Sequence, residues 1–295
     1  MALTTHSSDA PGNNKPHNDM KRLLTTIIIA LATLAAHAQH GQLAAMRNVV
    51  EGGYNFWLYA PSEYVTDHRR VPVIIFLHGA SLCGNNMQRV RRYGLLHAIA
   101  KGRYYPCMVI APQNPGGAWR PDKIARVLDW VEARHDIDTT RVYVIGMSLG
   151  GYGTLDFAGT YPDRVAAAMA LCGGSTLKDF GGLGRIPLWI LHGTADRAVP
   201  VSQSKAVVEA IKESGNDGLL RYDWVPGASH GDLARLLYLK QTYDWLFFHT
   251  TLDSPREVDR DVTITKDDLR NAYSDLDPKA TEFDIVDEIK PTKQP

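Results

Sequence analysis

The chain has 295 residues, 44% of them hydrophobic and 22% charged, with 32 basic and 32 acidic side chains that cancel to a formal net charge of zero. Such a length can bury a large core, and the balanced charge gives no electrostatic reason to expect a nucleic acid or an anionic membrane as partner. Three scattered cysteines, Cys83, Cys107 and Cys172, have no CxxC spacing and no histidine in ligand spacing, so neither a disulfide scaffold nor a zinc site is expected.

Residues 1–38 read as a leader. Met20-Lys21-Arg22 precedes the apolar stretch LLTTIIIALATLAA, and Ala36-His37-Ala38 supplies an A-x-A pattern ahead of Gln39. A basic start, an apolar core of about 7–15 residues and small residues at its end make a secretory signal peptide. The core falls short of the roughly 20 residues that span a bilayer. The expectation is a signal peptide over 20–38, translation starting at Met1 or Met20, and cleavage near Ala38/Gln39. The mature protein would be secreted or periplasmic, with no membrane partner once the signal is removed.

A catalytic domain is expected over 39–250. Apolar, strand-like runs occur at 54–60, 71–79, 107–113, 141–147, 165–174, 186–193 and 219–225, and amphipathic helix-like segments at 87–102, 121–136, 149–162, 201–215 and 231–249. Continuous apolar strands alternating with helices predict an α/β fold with a mostly parallel sheet covered on both faces. Active residues on such sheets gather in loops at the carboxyl ends of the strands. The short, glycine-rich connection GGSTLKDFGGLGR leaves no room for a large cap. Residues 251–295 are acidic, poor in large apolar side chains and closed by prolines. They read as a tail that stays disordered unless it docks on the domain.

The run RVYVIGMSLGGYG places Ser148 in a G-x-S-x-G pattern after a strand and before a helix. This is the pattern of a nucleophile elbow, a sharp turn that projects a serine hydroxyl above a sheet. A serine that merely caps a helix is the plainer alternative. A serine nucleophile needs a base and a group to orient that base. Asp196, in HGTADRAVP, and His230, in VPGASHGD, each follow a later strand, and serine–acid–histidine is the chain order expected for this elbow. His78 and His192, each followed by glycine at a strand end, are weaker candidates for the base and more often loop-ordering residues. Asp179 is the runner-up acid, and Asp232 lies too close to His230 in sequence to orient it easily. Candidate oxyanion donors are the backbone N–H of Leu149, directly after the nucleophile, and that of Ala80, in the loop FLHGASLCGNN. Trp119, in the loop QNPGGAWRPD on the presumed active edge, is a candidate substrate-lining residue. No phosphate loop, HExxH or dinucleotide fingerprint competes, and no cofactor is expected.

Taken together, YNFWLYAPSEY, VIIFLHGASLCGNN, VIAPQNPGGAW, RVYVIGMSLGGYGTLDFAGTYPDRVAAAMALCGG, PLWILHGTADRAVP and GASHGD resemble the exported, esterase-like α/β-hydrolases. These are often labelled predicted peptidases or prolyl-oligopeptidase-like, and are related to dienelactone hydrolase and to feruloyl and acetyl-xylan esterases. The resemblance covers about residues 52–248. It implies a Ser148, Asp196, His230 triad with oxyanion donors at Ala80 and Leu149. Dienelactone hydrolase carries cysteine at the elbow, so serine here favours ordinary ester hydrolysis, on a small-molecule or polysaccharide-linked ester. A prolyl-oligopeptidase-like peptidase and a non-catalytic binding protein on the same fold are the alternatives.

Overall fold

A computed structural model describes residues 41–274, 276–277 and 283–293. The leader read at residues 1–38, with its signal core and cleavage point, lies outside them. Nine strands among the described residues form one sheet: β1 (Gly41–Met46), β2 (Phe56–Ala60), β3 (Val71–Leu77), β4 (Met108–Pro112), β5 (Ile137–Met147), β6 (Ala167–Leu171), β7 (Leu188–Gly193), β8 (Leu220–Val225) and β9 (Phe283–Val286). Their order is β8-β7-β6-β5-β3-β4-β2-β1-β9. Neighbours from β4 across to β8 are parallel. β2 runs antiparallel to both β4 and β1, and β9 joins β1 in parallel. This is the mostly parallel, helix-covered sheet of the α/β-hydrolase fold.

The reason lies in runs such as VPVIIFL, which is buried along its whole length as β3. Side chains alternate between faces along a strand, so a run with no polar positions needs a cover on both sides. Ile74 and Phe76 enter one core with Ile145, Trp189 and Trp245. Val73, Ile75 and Leu77 enter the other with Val144, Leu155 and Ile190. The longer helices divide accordingly. Helices α1 (Pro121–Arg134), α2 (Leu149–Thr160) and α3 (Ser202–Glu213) cover the second face, whereas α4 (Lys240–Phe248) covers the first.

Two segments expected as single helices are interrupted. Residues 87–102 divide into a 3-10 turn at Met87–Arg91 and a short helix at Leu95–Ile99. Between them Gly94 has φ +84°, and a Cβ there would lie 2.3 Å from the Phe76 ring. Its N–H donates to the Tyr238 hydroxyl instead of continuing a helix. Residues 231–249 likewise become a helical turn at His230–Leu233, a 3-10 turn at Ala234–Tyr238, and α4.

The carboxyl-terminal segment is docked, the condition under which its composition allowed order. Arg256 donates to the carbonyls of Val165, Ala166 and Arg185, and Arg260 to those of Gly218 and Leu220. Arg221 reaches back to the carbonyls of Asp259 and Val262. The carbonyls that Arg256 and Arg260 engage lie at or just before the amino ends of β6, β7 and β8, opposite the edge that carries the candidate site. Leu269 is then buried, with Arg235 donating to its carbonyl, and β9 completes the sheet beside β1. Among the described residues no helix is long and apolar enough to cross a membrane.

Candidate active site

Ser148 joins β5 to α2 with φ 59° and ψ −122°, in the left-handed half of backbone space that a side chain rarely adopts. Such a conformation costs about 1–3 kcal/mol and persists only where its surroundings enforce it. They do so by crowding. A Cβ on Gly150 would lie 1.8 Å from the Leu77 carbonyl oxygen, and one on Gly146 would lie 2.3 Å from that of Gly150. The Ser148 N–H is fixed by a 2.8 Å hydrogen bond to the Leu171 carbonyl. The glycines therefore let the turn press against the end of β3, which lifts the serine above the sheet.

Asp196 and His230 meet because the loops after β7 and β8 are tied to each other. Thr194 N–H donates to the Val225 carbonyl and Ala195 N–H to that of Ala228, each at 3.0 Å. Gly227 N–H donates to Thr194 Oγ1 at 2.8 Å. The result is a 2.6 Å hydrogen bond from His230 Nδ1 to Asp196 Oδ2. Asp196 Oδ1 accepts from the N–H groups of Ala198 and Val199 at 2.8 and 2.9 Å. Burial alone would raise the carboxyl pKa; the hydrogen bonds from Val199, His230 and Ala198 outweigh it and hold it below the ordinary aspartate value. Asp232 instead pairs with Ser229 in a capping box that starts the helical turn bearing His230. Asp179 is exposed and accepts from the N–H of Gly181 in its own loop.

Ser148 and His230 line one pocket of about 290 Å³, together with Gly79, Ala80, Ser81, Tyr93, Met147, Gly231 and Ala234. Among the described residues no hydrogen bond joins Ser148 Oγ to His230, a link that in unliganded enzymes is often long and tightens with substrate. Ala80 opens a 3-10 turn, and Leu149 is the first residue of α2. Among the described residues neither N–H has an acceptor. At Leu149 the helix dipole adds a favourable field for an anion.

His78 is an ordering residue. Its Nε2 accepts from Asn114 N–H at 3.0 Å, so its Nδ1, 2.8 Å from the Gly79 carbonyl, carries the proton. Burial lowers its pKa to about 4 and keeps the ring neutral. Trp119 does not line the pocket. It is 3% exposed, donates from Nε1 to the His78 carbonyl, and stacks edge-on against His78 and Tyr54. The candidate substrate-lining residue is thus a prop beneath the Gly79–Ala80 loop, because the indole folds under the strand edge instead of over it. His97, His135 and His249 engage Tyr238, Tyr64 and the Asp259 N–H respectively.

Sequence reasoning missed Tyr93, whose hydroxyl lies 2.6 Å from Ser81 Oγ. Ser81 was within reach, as it directly follows Ala80. Tyr93 sat inside an apparent helix, and only the break at Gly94 turns it toward the pocket.

The fold and these positions define an α/β-hydrolase. Residues 119–238 match the dienelactone hydrolase family. Acetylxylan esterase A of Emericella nidulans is 23% identical over 76% of this chain and 78% of its own. Poly(3-hydroxyalkanoate) depolymerase C of Paucimonas lemoignei is 26% identical over 54% of this chain, which spans 42% of that enzyme. Among solved structures, a thermostable esterase is 28% identical, with a TM-score of 0.57 over 66% of this chain and 59% of its own. These matches support a carboxylic ester hydrolase.

Proposed function

We propose that the protein is a serine esterase that cleaves carboxylic esters through Ser148, His230 and Asp196. The observation that carries this reading is the 2.6 Å bond from His230 to an Asp196 whose side chain is shielded from solvent, with His230 sharing its pocket with a serine on a strained elbow. In the proposed cycle His230 Nε2 takes the Ser148 proton as Oγ attacks the ester carbonyl. Asp196 holds the imidazole with Nδ1 protonated and stabilises the imidazolium. The N–H groups of Ala80 and Leu149 receive the developing oxyanion, each donor worth about 2.7–4 kcal/mol in comparable sites. His230 then protonates the departing alkoxide, and water, deprotonated by the same imidazole, releases the acid from Ser148.

The small side chains beside Ser148, at Gly79, Ala80, Gly231 and Ala234, suit a short acyl group with a bulky alcohol lying outside. With an acetylxylan esterase among the relatives, acyl groups on plant polysaccharides are the favoured substrates. The basic, apolar and small-residue pattern of residues 20–38 supports export. A panel of acetyl, feruloyl and longer acyl esters plus a proline anilide, run with the Ser148→Ala variant, tests the reading. Acetyl esters are expected to turn over fastest, and a fluorophosphonate to label wild type but not Ser148→Ala. Preference for the anilide would favour a peptidase, and equal labelling of both proteins would end the hydrolase reading.

A further inference from the structure

His192 lies behind the acid and takes no part in the cycle above. Its side chain and that of Asp196 are both fully shielded from solvent. His192 Nε2 is 2.9 Å from the Val199 carbonyl oxygen and 3.3 Å from Asp196 Oδ2. His192 Nδ1 is 2.7 Å from Ser204 Oγ, which in turn is 2.5 Å from the Gly173 carbonyl oxygen. The neighbours of Nε2 fix its protonation. Both of its neighbours are acceptors only, so a bare Nε2 would face two oxygens with no hydrogen between them. Ser204 has one hydrogen, shared between Nδ1 and the Gly173 carbonyl. If that hydrogen goes to Nδ1 the ring is the neutral Nε2–H tautomer, the form that burial favours by lowering the ring's pKa; if it goes to Gly173 the ring is an imidazolium that donates from both nitrogens. Nε2 carries a proton in either case.

Asp196 Oδ2 therefore faces two imidazoles. His230 Nδ1 approaches from the pocket side, and His192 Nε2 from the core. The carboxylate can rotate only by giving up contacts to Val199, Ala198 and both rings.

We propose that His192 is a positioning residue for the esterase site: its Nε2–H, shared between the Val199 carbonyl and Asp196 Oδ2, locks the carboxylate in the rotamer that engages His230, with Ser204 fixing the ring from behind. The proposal rests on the esterase reading. A second donor on Oδ2 draws off negative charge that would otherwise act on His230 alone. The ionisable groups facing His192 and Asp196 are His230 and the Cys172 thiol on the neighbouring strand end. Burial keeps that thiol protonated. The thiol is a neutral hydrogen-bond partner of Asp196, so the two rings are the groups there that can carry positive charge.

The test compares His192→Leu, which removes both ring nitrogens, with His192→Gln, whose amide nitrogen can occupy the Nε2 position and still donate. Steady-state kinetics with p-nitrophenyl acetate and the rate of fluorophosphonate labelling are each followed against pH, after thermal melts establish folding. His192→Leu is expected to lower kcat by about 10-fold or more with KM within about 2-fold, and to move the acid limb of the labelling profile to higher pH. His192→Gln is expected to restore most of kcat and the wild-type limb. Wild-type kinetics in His192→Leu, or equal loss in both variants with an unmoved limb, overturns the proposal. Should His192→Leu fail to fold, Ser204→Ala loosens the same ring from behind; a smaller shift of the limb in the same direction supports the proposal, and an unmoved limb overturns it. Failure of wild type to turn over esters or to label at Ser148 would defeat the esterase reading itself. Normal wild-type activity with an indifferent His192→Leu would defeat only this inference.

Discussion

His78 and His192 occupy matching places in the molecule. Each closes an apolar strand, each is followed by glycine, and each is fully buried. Their surroundings separate them. His78 has a backbone N–H on one nitrogen and a carbonyl on the other, so it stitches the loop after β3 to the loop after β4, and among the described residues its ring bonds none of the candidate catalytic side chains. His192 has a serine on one nitrogen and the candidate acid on the other. The same dipeptide thus orders backbone in one place and a carboxylate in the other. What decides its role is the set of donors and acceptors that the fold brings to the ring.

Experiments can probe this division in order of expected effect. Asp196→Asn leaves the shape of the acid intact but places an amide between two imidazole donors, and kcat should fall by about 10⁴-fold, as when a triad tautomer is reversed. A loss below about 10-fold would mean that the acid lies elsewhere and that His192 supports nothing catalytic. Trp119→Ala removes the prop under the His78 loop. Unfolding titrations should show a loss of about 3–5 kcal/mol, with KM for p-nitrophenyl acetate within about 2-fold of wild type. A raised KM at unchanged stability would return Trp119 to the substrate site.

The pH dependence of stability follows from the same burial. Desolvation lowers the pKa of both His78 and His135 to about 4 in the folded protein, whereas the unfolded chain binds those protons near pH 6.5. Between these values the unfolded state holds more protons, so stability is present above pH 6.5 and is lost as pH falls toward 4. The loss is on the order of 3 kcal/mol per histidine. Urea midpoints from about pH 7.5 to 4.5 should record the decline, and a flat profile would mean that the rings are not buried neutral. Finally, His78→Leu should lower kcat by about 10²-fold by loosening the Ala80 donor, without moving the acid limb of labelling. A limb that moved as in His192→Leu would erase the distinction between the two histidines.

The parallel sheet and the order Ser148, Asp196, His230 were legible because each depends on a local pattern: an unbroken apolar run, or a reactive residue directly after one. Features made by distant partners were hidden. β1 was missed because GQLAAM carries little strand signal alone; it is paired on both sides, by β2 and β9. Tyr93 was hidden by a glycine whose conformation answers to Phe76 on another element. Trp119 does lie on the active edge, yet sequence cannot say whether an indole folds over a loop or under it. For residues 251–295 composition left order conditional on docking, and the docking is made by arginines that bond carbonyls, which hydropathy does not register.

Those arginines have a practical consequence for anyone trimming the protein. Composition would place the cut at residue 251, where the chain ceases to look globular. Such a cut would strip Arg256 and Arg260 from the starts of β6, β7 and the edge strand β8, remove the backing of Leu269 behind the His230 segment, and bare the edge of β1 that β9 covers. An open strand edge is a template for self-association. The shortened chain would be expected to fail by aggregation well before its active groups were disturbed.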